Sequence, residues 1–159
     1  MVPGTVPGTR IRTMFFIWII LAGLLQATVL SNLNLLVALS VFSGYRKGST
    51  TGLATGAFIG AFAGILSSTP LGLNVGLHSM VGFAAGMVRT RIYYDYKENI
   101  FMEFMFSFIG AALFYSAYFI LTGKIQPSIF SAAVLTAAIS PLLFRLVEGM
   151  DKEASGQLN

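Results

Sequence analysis

The sequence has no cysteine, a single histidine and few charged residues. Because cysteine is absent, disulfides and thiolate chemistry are excluded. One histidine does not by itself build a metal site, which usually takes roughly three or four ligands. Only 10% of the residues are charged, whereas charged residues make up about a quarter of an average soluble domain. Such a low charge content is typical of a membrane protein.

Side chains that could support catalysis are also scarce. His78 is the one candidate base, and the nearest acidic groups, Glu103 and Glu148, lie at the predicted ends of helices five and six. General acid–base catalysis requires its groups within hydrogen-bonding reach of the reacting atoms. We therefore favour a neutral His78, hydrogen-bonded inside the bundle, over a catalytic base. We expect no enzymatic activity, no cofactor and no bound metal.

The sequence is instead rich in long apolar runs. Of its 159 residues, 55% are hydrophobic, and several runs reach the roughly 18 residues that a helix needs to cross a membrane. We predict an all-α integral membrane protein with a compact six-helix transmembrane domain at residues 13–147. It is flanked by a cytoplasmic segment at 1–12 and a cytoplasmic, disordered tail at 148–159. The predicted helices are Thr13–Leu30, Leu33–Ser43, Thr50–Ser67, Leu71–Val88, Ile100–Leu121 and Ser128–Val147.

The short second segment determines the predicted topology. Its 11 residues extend less than about 20 Å as a helix, so the turn at 31–34 would lie below the outer surface, where Asn32 and Asn34 can bond to its amides. If the segment crosses, nine of the ten cations lie on one side, as the positive-inside rule favours. We predict six crossings with both termini cytoplasmic, and we interpret the net charge of +4 as a topology signal, not as nucleic-acid binding. The nine cations are Arg10, Arg12, Arg46, Lys47, Arg89, Arg91, Lys97, Arg145 and Lys152, and Lys124 is the tenth.

Glycines recur at every fourth position along the third and fourth segments. Positions with this spacing lie about 40° apart around a helix and form one row. In lipid, where there is little hydrophobic force between helices, rows of small residues allow two backbones to pack closely. We predict that the third helix is central and forms a tight hairpin with the fourth. The predicted packing glycines are Gly48, Gly52, Gly56, Gly60, Gly64, Gly72, Gly76, Gly82 and Gly86.

A proline separates the third helix from the fourth. Pro70 has a fixed φ and disfavours helix at Thr69, so it ends the third helix. We predict a rigid exterior turn formed by Thr69, Pro70, Leu71 and Gly72.

Three polar residues interrupt the apolar runs at similar predicted depths. Gln26 lies on the outer half of helix one, and Asn74 and His78 are four residues apart on one face of helix four. Two interpretations are open. These side chains could line a small polar pocket, or they could hydrogen-bond neighbouring helices to one another.

Two predicted cytoplasmic loops are basic. Arg46 and Lys47 lie in the first, and Arg89, Arg91 and Lys97 lie in the second. Tyrosines between the last two cations match an interfacial aromatic belt. The basic loops are interpreted either as a docking surface for cytoplasmic proteins or as segments that bind anionic lipid headgroups.

A series of these features resembles the rod shape-determining MreD family. In order, they are a short apolar hairpin, G-Y-R-K-G at 44–48, the glycine-rich helix, T-P-L-G-L-N at 69–74 and V-G-F-A-A-G-M-V-R-T-R at 81–91. The resemblance covers about residues 33–91. Members often carry an acidic residue where this chain has Ser67 or Ser68.

The resemblance implies a small multi-pass subunit of the bacterial cell-elongation machinery in the cytoplasmic (inner) membrane. Its implied partner is MreC, a single-span protein with a coiled coil, with indirect links to MreB and the wall synthases; a homodimer is an open alternative. The family fold is similar to that of the S subunits of vitamin uptake transporters, so a substrate-binding S subunit is the alternative function. Such subunits usually dock through an Ala-x-x-x-Ala motif in helix one, where this chain has Ala22 and Ala27 at a different spacing.

Overall fold

The protein is a bundle of α-helices. A computed structural model describes residues 7–28, 34–67, 69–92, 100–123 and 129–155. In this part of the chain the helices are α1 (Pro7–Thr28), α2 (Leu35–Lys47), α3 (Ser49–Leu66), α4 (Leu71–Ile92), α5 (Ile100–Thr122) and α6 (Ile129–Ser155).

The six predicted helices are present, but several extend beyond their predicted ends. α1 begins at Pro7, inside the segment assigned to the cytoplasm, because proline suits the first position of a helix. α6 continues to Ser155, so the prediction of disorder is wrong for residues 148–155. A pair between Glu148 and Arg46 of α2 holds the first residue of this stretch against the bundle. Pro141 lies inside α6.

Four of the helices are long and apolar enough to cross a membrane. α2 is shorter, at 13 residues, and the apolar part of α1 among the described residues is Ile17–Gln26. The chain is therefore a multi-pass helical membrane protein. The four candidate spans are Ser49–Leu66, Leu71–Arg89, Ile100–Thr122 and Ser131–Gly149.

The short helix α2 lies at the centre of the bundle. Every residue from Leu35 to Tyr45 is buried, and α2 contacts all five of the other helices. Those five also contact one another in the cyclic order α1, α3, α4, α5, α6. The prediction of a central third helix is therefore wrong. α3 buries its glycine row but exposes large side chains such as Phe58 and Ile65 on its other face, whereas α2 is buried around its whole circumference.

The two ends of the bundle differ in chemistry. α2 and α6 run parallel, since Asn34 contacts Thr136 and Arg46 contacts Glu148. We call the end at Asn34 the cavity end and the end at Arg46 the arginine end.

Glycines bring the backbones of α3 and α4 into direct contact. A Cβ atom added at Gly60 would lie 2.7 Å from the carbonyl carbon of Asn74 and 2.7 Å from the Cα of Val75. Gly52 and Gly56 face the α4 backbone in the same way. Carbon atoms normally pack at about 3.5–4.0 Å, so no residue with a Cβ fits at these positions unless the helices move apart.

The glycine contact extends to α2 at the arginine end. A Cβ at Gly82 would lie 2.8 Å from the carbonyl carbon of Gly52, and one at Gly86 would lie 2.6 Å from that of Gly48. Gly44 of α2 is part of the same junction, because its Cβ would lie 3.0 Å from the amide nitrogen of Gly86. Gly44 is missed by the sequence prediction, whose second helix ends at Ser43.

Three of the predicted packing glycines do not face another helix. Gly48 joins α2 to α3 with a φ of 90°, a left-handed conformation that favours glycine. Gly72 and Gly76 have open space where a Cβ would be, because the row of α4 that contacts α3 lies beside theirs. Gly64 has a looser contact, with a Cβ position 3.0 Å from the Cα of Leu71.

Candidate functional site

A polar cavity lies at the N-terminal end of the central helix. The 13 residues of α2 span roughly 20 Å, less than the roughly 30 Å of a hydrocarbon core. The cavity has a volume of about 290 Å³ and is lined by residues of α1 to α5 and of the α3–α4 turn. Two of its lining residues, Leu66 and Ser67, are exposed. None of the described residues that line it is charged.

Side chains from three parts of the chain satisfy the first amides of α2. The Asn34 side-chain oxygen accepts a hydrogen bond from the Val37 amide at 3.2 Å, which makes Asn34 the N-cap. The Asn34 amide donates to the Thr136 hydroxyl at 3.0 Å, and the Leu36 amide donates to Gln26 Oε1 at 3.2 Å. Amides at membrane depth require such partners, so α1 and α6 are needed to complete α2.

Removing the N-cap tests this arrangement. We expect Asn34→Ala to lower the free energy of unfolding by about 1 kcal/mol, because the Val37 amide loses the side-chain oxygen and keeps only the Asn34 carbonyl as an acceptor. Unfolding of the purified protein in mixed detergent, followed by circular dichroism, measures the change. Asn34→Ser keeps an oxygen acceptor and is expected to retain most of the stability; an equal loss in both variants would contradict the capping role.

His78 forms the floor of the cavity. It is 1% exposed, and its Nδ1 lies 3.0 Å from the Ser40 hydroxyl oxygen. The Ser40 hydroxyl also lies 3.0 Å from the Leu36 carbonyl oxygen, which can only accept. We therefore assign the hydroxyl proton to that carbonyl and the proton of the shared bond to His78. For a neutral imidazole this assigns the proton to Nδ1 and a lone pair to Nε2. The ring also packs on Phe114, with centroids 4.9 Å apart.

Asn74 connects the cavity to the α3–α4 turn. Its side-chain amide group donates to the hydroxyls of Thr69 and Ser67, and these two hydroxyls are 2.6 Å apart. The Pro70 carbonyl accepts a hydrogen bond from the Leu73 amide at 3.1 Å. Because this bond belongs to the first turn of α4, the α3–α4 turn is shorter than predicted.

Leu71 and Gly72 are the two residues that the turn prediction assigns wrongly. Both belong to α4, which begins at Leu71. Pro70 restricts the residue before it but leaves those after it free to be helical. Ser68 is outside the described residues.

The structure brings the three predicted pocket residues, Gln26, Asn74 and His78, together in one cavity. Each also makes a hydrogen bond to a neighbouring element. The same side chains therefore line a polar cavity and connect neighbouring elements, which the sequence analysis treated as alternatives. Sequence reasoning missed Tyr115, which lines the cavity and contacts the Asn34 side chain. A tyrosine in the Phe-rich fifth helix gives no distinguishing signal.

A cluster of charged side chains joins three helices at the arginine end. Arg46 of α2 donates to Glu103 of α5 at 3.2 Å and also pairs with Glu148 of α6. The side chains are mostly buried, with exposed fractions of 14%, 6% and 20% for Arg46, Glu103 and Glu148. Both acidic residues were placed at helix ends from the sequence, and the structure adds that they share one partner.

Arg89 closes the C-terminal end of α2. Its guanidinium donates to the carbonyl oxygens of Tyr45 and Arg46, the latter at 2.7 Å. The last carbonyls of a helix have no partner within the helix, and a cation there is also favoured by the helix dipole. The Tyr45 ring contacts both guanidinium groups, at 5.4 Å from Arg89 and 5.5 Å from Arg46.

The basic residues that were assigned to loops lie in helices instead. Arg46 and Lys47 form the last turn of α2, and Arg89 and Arg91 are within α4. Favourable interaction of cations with helix C-termini explains why these helices continue through them. Lys97 lies outside the described residues.

Comparisons with family models, curated proteins and solved structures found no match to this chain.

Proposed function

We propose that this chain is a non-enzymatic subunit of the bacterial cell-elongation complex that binds an MreC-like single-span protein and helps to organise lateral peptidoglycan synthesis. The observation that carries the proposal is that the family-like segments meet in one structural unit. G-Y-R-K-G ends the central helix, and the glycine rows of α3 and α4 pack on each other beside it. Arg89, in the segment at 81–91, donates to the carbonyls of Tyr45 and Arg46 in G-Y-R-K-G. Segments distant in sequence therefore share one structural role, which supports treating them as one motif.

The proposed topology has six crossings in the cytoplasmic membrane, with both termini cytoplasmic. The distribution of charge supports it, because the charged side chains of the described residues lie at the arginine end, and the positive-inside rule assigns such an end to the cytoplasm. A central α2 crosses without contacting lipid, which is compatible with its short length. The charged residues concerned are Arg46, Lys47, Arg89, Glu103, Arg145 and Glu148.

The outer surface of the bundle suits a single-span partner. α1 exposes Ile20 and Leu24, and α5 exposes Ile109 and Leu113, each at 40% or more. These are ordinary lipid-facing side chains, and an apolar transmembrane helix can replace lipid on them. The proposed role of the glycine-packed core is to hold these outer faces in a fixed arrangement.

Co-purification combined with cell shape tests the proposal. We expect the tagged full-length chain to retain an MreC-like coiled-coil protein, and we expect depletion of the chain to turn rods into rounded cells. The wild type and the Gly76→Ala variant should restore both properties, because the added methyl group meets open space. Normal rods without the chain, together with no coiled-coil partner, would contradict the proposal.

The cavity favours a second candidate function, the substrate-binding S subunit of a micronutrient transporter. Such a subunit needs a pocket of this kind, buried among helices and lined by a few polar groups. Under this alternative the tagged chain should co-purify with a transport module that contains ATP-binding subunits. Retention of the coiled-coil partner without that module would favour the elongation complex.

A further inference from the structure

We propose that the cavity binds an uncharged, ring-shaped small molecule that donates a hydrogen bond to His78 Nε2. This inference goes beyond the scaffold function and does not depend on it. It rests on the hydrogen-bonding groups, the aromatic walls and the absence of charge among the described residues that line the cavity.

The floor of the cavity presents an acceptor. We assign the Nδ1 proton to the bond between His78 and Ser40, because the Leu36 carbonyl beside Ser40 can only accept the hydroxyl proton. The remaining ring nitrogen, Nε2, carries a lone pair and has no hydrogen-bond partner among the described residues. A molecule that reaches Nε2 from the cavity that His78 lines meets an acceptor and needs an N–H or O–H group to pair with it.

The upper walls add an acceptor and a donor. The Asn74 amide group is engaged by Thr69 and Ser67, which leaves its carbonyl oxygen as an acceptor. Gln26 has the opposite orientation, because its oxygen accepts from the Leu36 amide and its amide group remains a donor. Both orientations follow from the bonds that each side chain makes. A lactam, a carboxamide or a polyhydroxylated ring carries matching groups.

One wall of the cavity is aromatic, and all of its described lining residues are neutral. Phe114, Tyr115 and Tyr118 line the cavity from α5, and aromatic faces favour stacking with the face of a ring. An ion would lose its hydration without gaining a counter-ion from the described lining residues, which is costly. The volume of about 290 Å³ is at the lower limit of ligand sites, which range over roughly 300–1,000 Å³. These features select a small, uncharged ring compound.

A purely structural role for these polar residues is less consistent with the geometry. Helix cohesion already uses one half of each side chain: Nδ1 of His78, the amide group of Asn74 and the oxygen of Gln26. The unused halves all belong to residues that line the same cavity. If these residues only joined helices, there would be no reason for all three to line the same cavity.

Benzamide and benzoate are matched probes for this site. They have the same shape, but benzamide is neutral and carries N–H donors, whereas benzoate is charged and carries none. Saturation-transfer NMR on the full-length protein in nanodiscs detects binding in the millimolar range, so a fragment with the right chemistry is sufficient. We expect transfer to benzamide to exceed transfer to benzoate at least fivefold.

Three variants test whether the signal comes from the cavity. His78→Asn keeps a donor near Ser40 but removes Nε2, and Ala63→Leu fills the cavity without removing a hydrogen-bonding group; each should reduce transfer to benzamide at least fivefold. Ser107→Ala removes a buried hydroxyl of α5 outside the cavity and should leave transfer unchanged. Absence of transfer to benzamide in the wild type, equal transfer to both probes, or full transfer in folded Ala63→Leu would overturn the proposal.

Discussion

Replacing Gly60 with alanine is expected to force α3 away from α4 and to lower the free energy of unfolding by about 3 kcal/mol. The added Cβ would lie 2.7 Å from two backbone carbons of α4, at Asn74 and Val75. Backbone atoms do not move aside as the end of a flexible side chain does, so the helices themselves must separate. Denaturation in mixed detergent, followed by circular dichroism, measures the loss. The longer Gly60→Ile should prevent folding.

Gly76→Ala is the matched control for Gly60→Ala. It makes the same chemical change in the adjacent helix, at a position with open space around the new methyl group. Its expected effect on unfolding free energy is less than about 1 kcal/mol, and any change should be stabilising because alanine favours helix. Equal losses in the two variants would show that helix flexibility, and not close contact, is the reason for the glycines.

Replacing Arg46 with methionine is expected to cost about 3–5 kcal/mol of unfolding free energy. Glu103 and Glu148 would then be two carboxylates close to each other and largely buried, without the guanidinium that both contact. Removing the cation that two buried carboxylates share is far more costly than replacing the whole charged cluster. The same detergent unfolding assay measures this effect.

Further substitutions separate the effect of charge from that of packing. Adding Glu103→Gln and Glu148→Gln to Arg46→Met should recover more than half of the lost stability, because neutral amides need no counter-ion. Lys47→Met changes the neighbouring, exposed residue and should shift stability by less than about 0.5 kcal/mol. If the triple variant is as unstable as Arg46→Met, the arginine contributes through its packing.

The sequence predicts the order and approximate positions of the helices because the bilayer imposes their length and apolar character. It does not predict which helix is central. Position in the bundle depends on pairs far apart in the chain, such as Asn34 with Thr136, and no local pattern encodes these. The glycine spacing predicts a close hairpin of α3 and α4, but it cannot distinguish Gly60, which faces α4, from Gly76, which faces open space.

Part of the candidate site is visible in the sequence because polar residues stand out in apolar runs. Gln26, Asn74 and His78 are identified in this way. Tyr115 is not, since its ring fits the aromatic fifth helix whether or not its hydroxyl has a role. The proton position on His78 is assigned from the distances to Ser40 and from Ser40 to Leu36, which sequence cannot supply.

The position of α6 at both ends of α2 has a consequence for biosynthesis. Thr136 accepts from the amide at the start of α2, and Glu148 pairs with Arg46 at its finish. Translation and insertion proceed from the N-terminus, so α2 enters the bilayer long before α6 is made. Until the ribosome has completed α6, the Asn34 amide lacks its Thr136 acceptor and Arg46 lacks the second of its two carboxylates, and hydrocarbon supplies no acceptor to the amide. Insertion of α6 is thus the step that allows the core to close, and chains terminated before α6 should be recognised by membrane proteases.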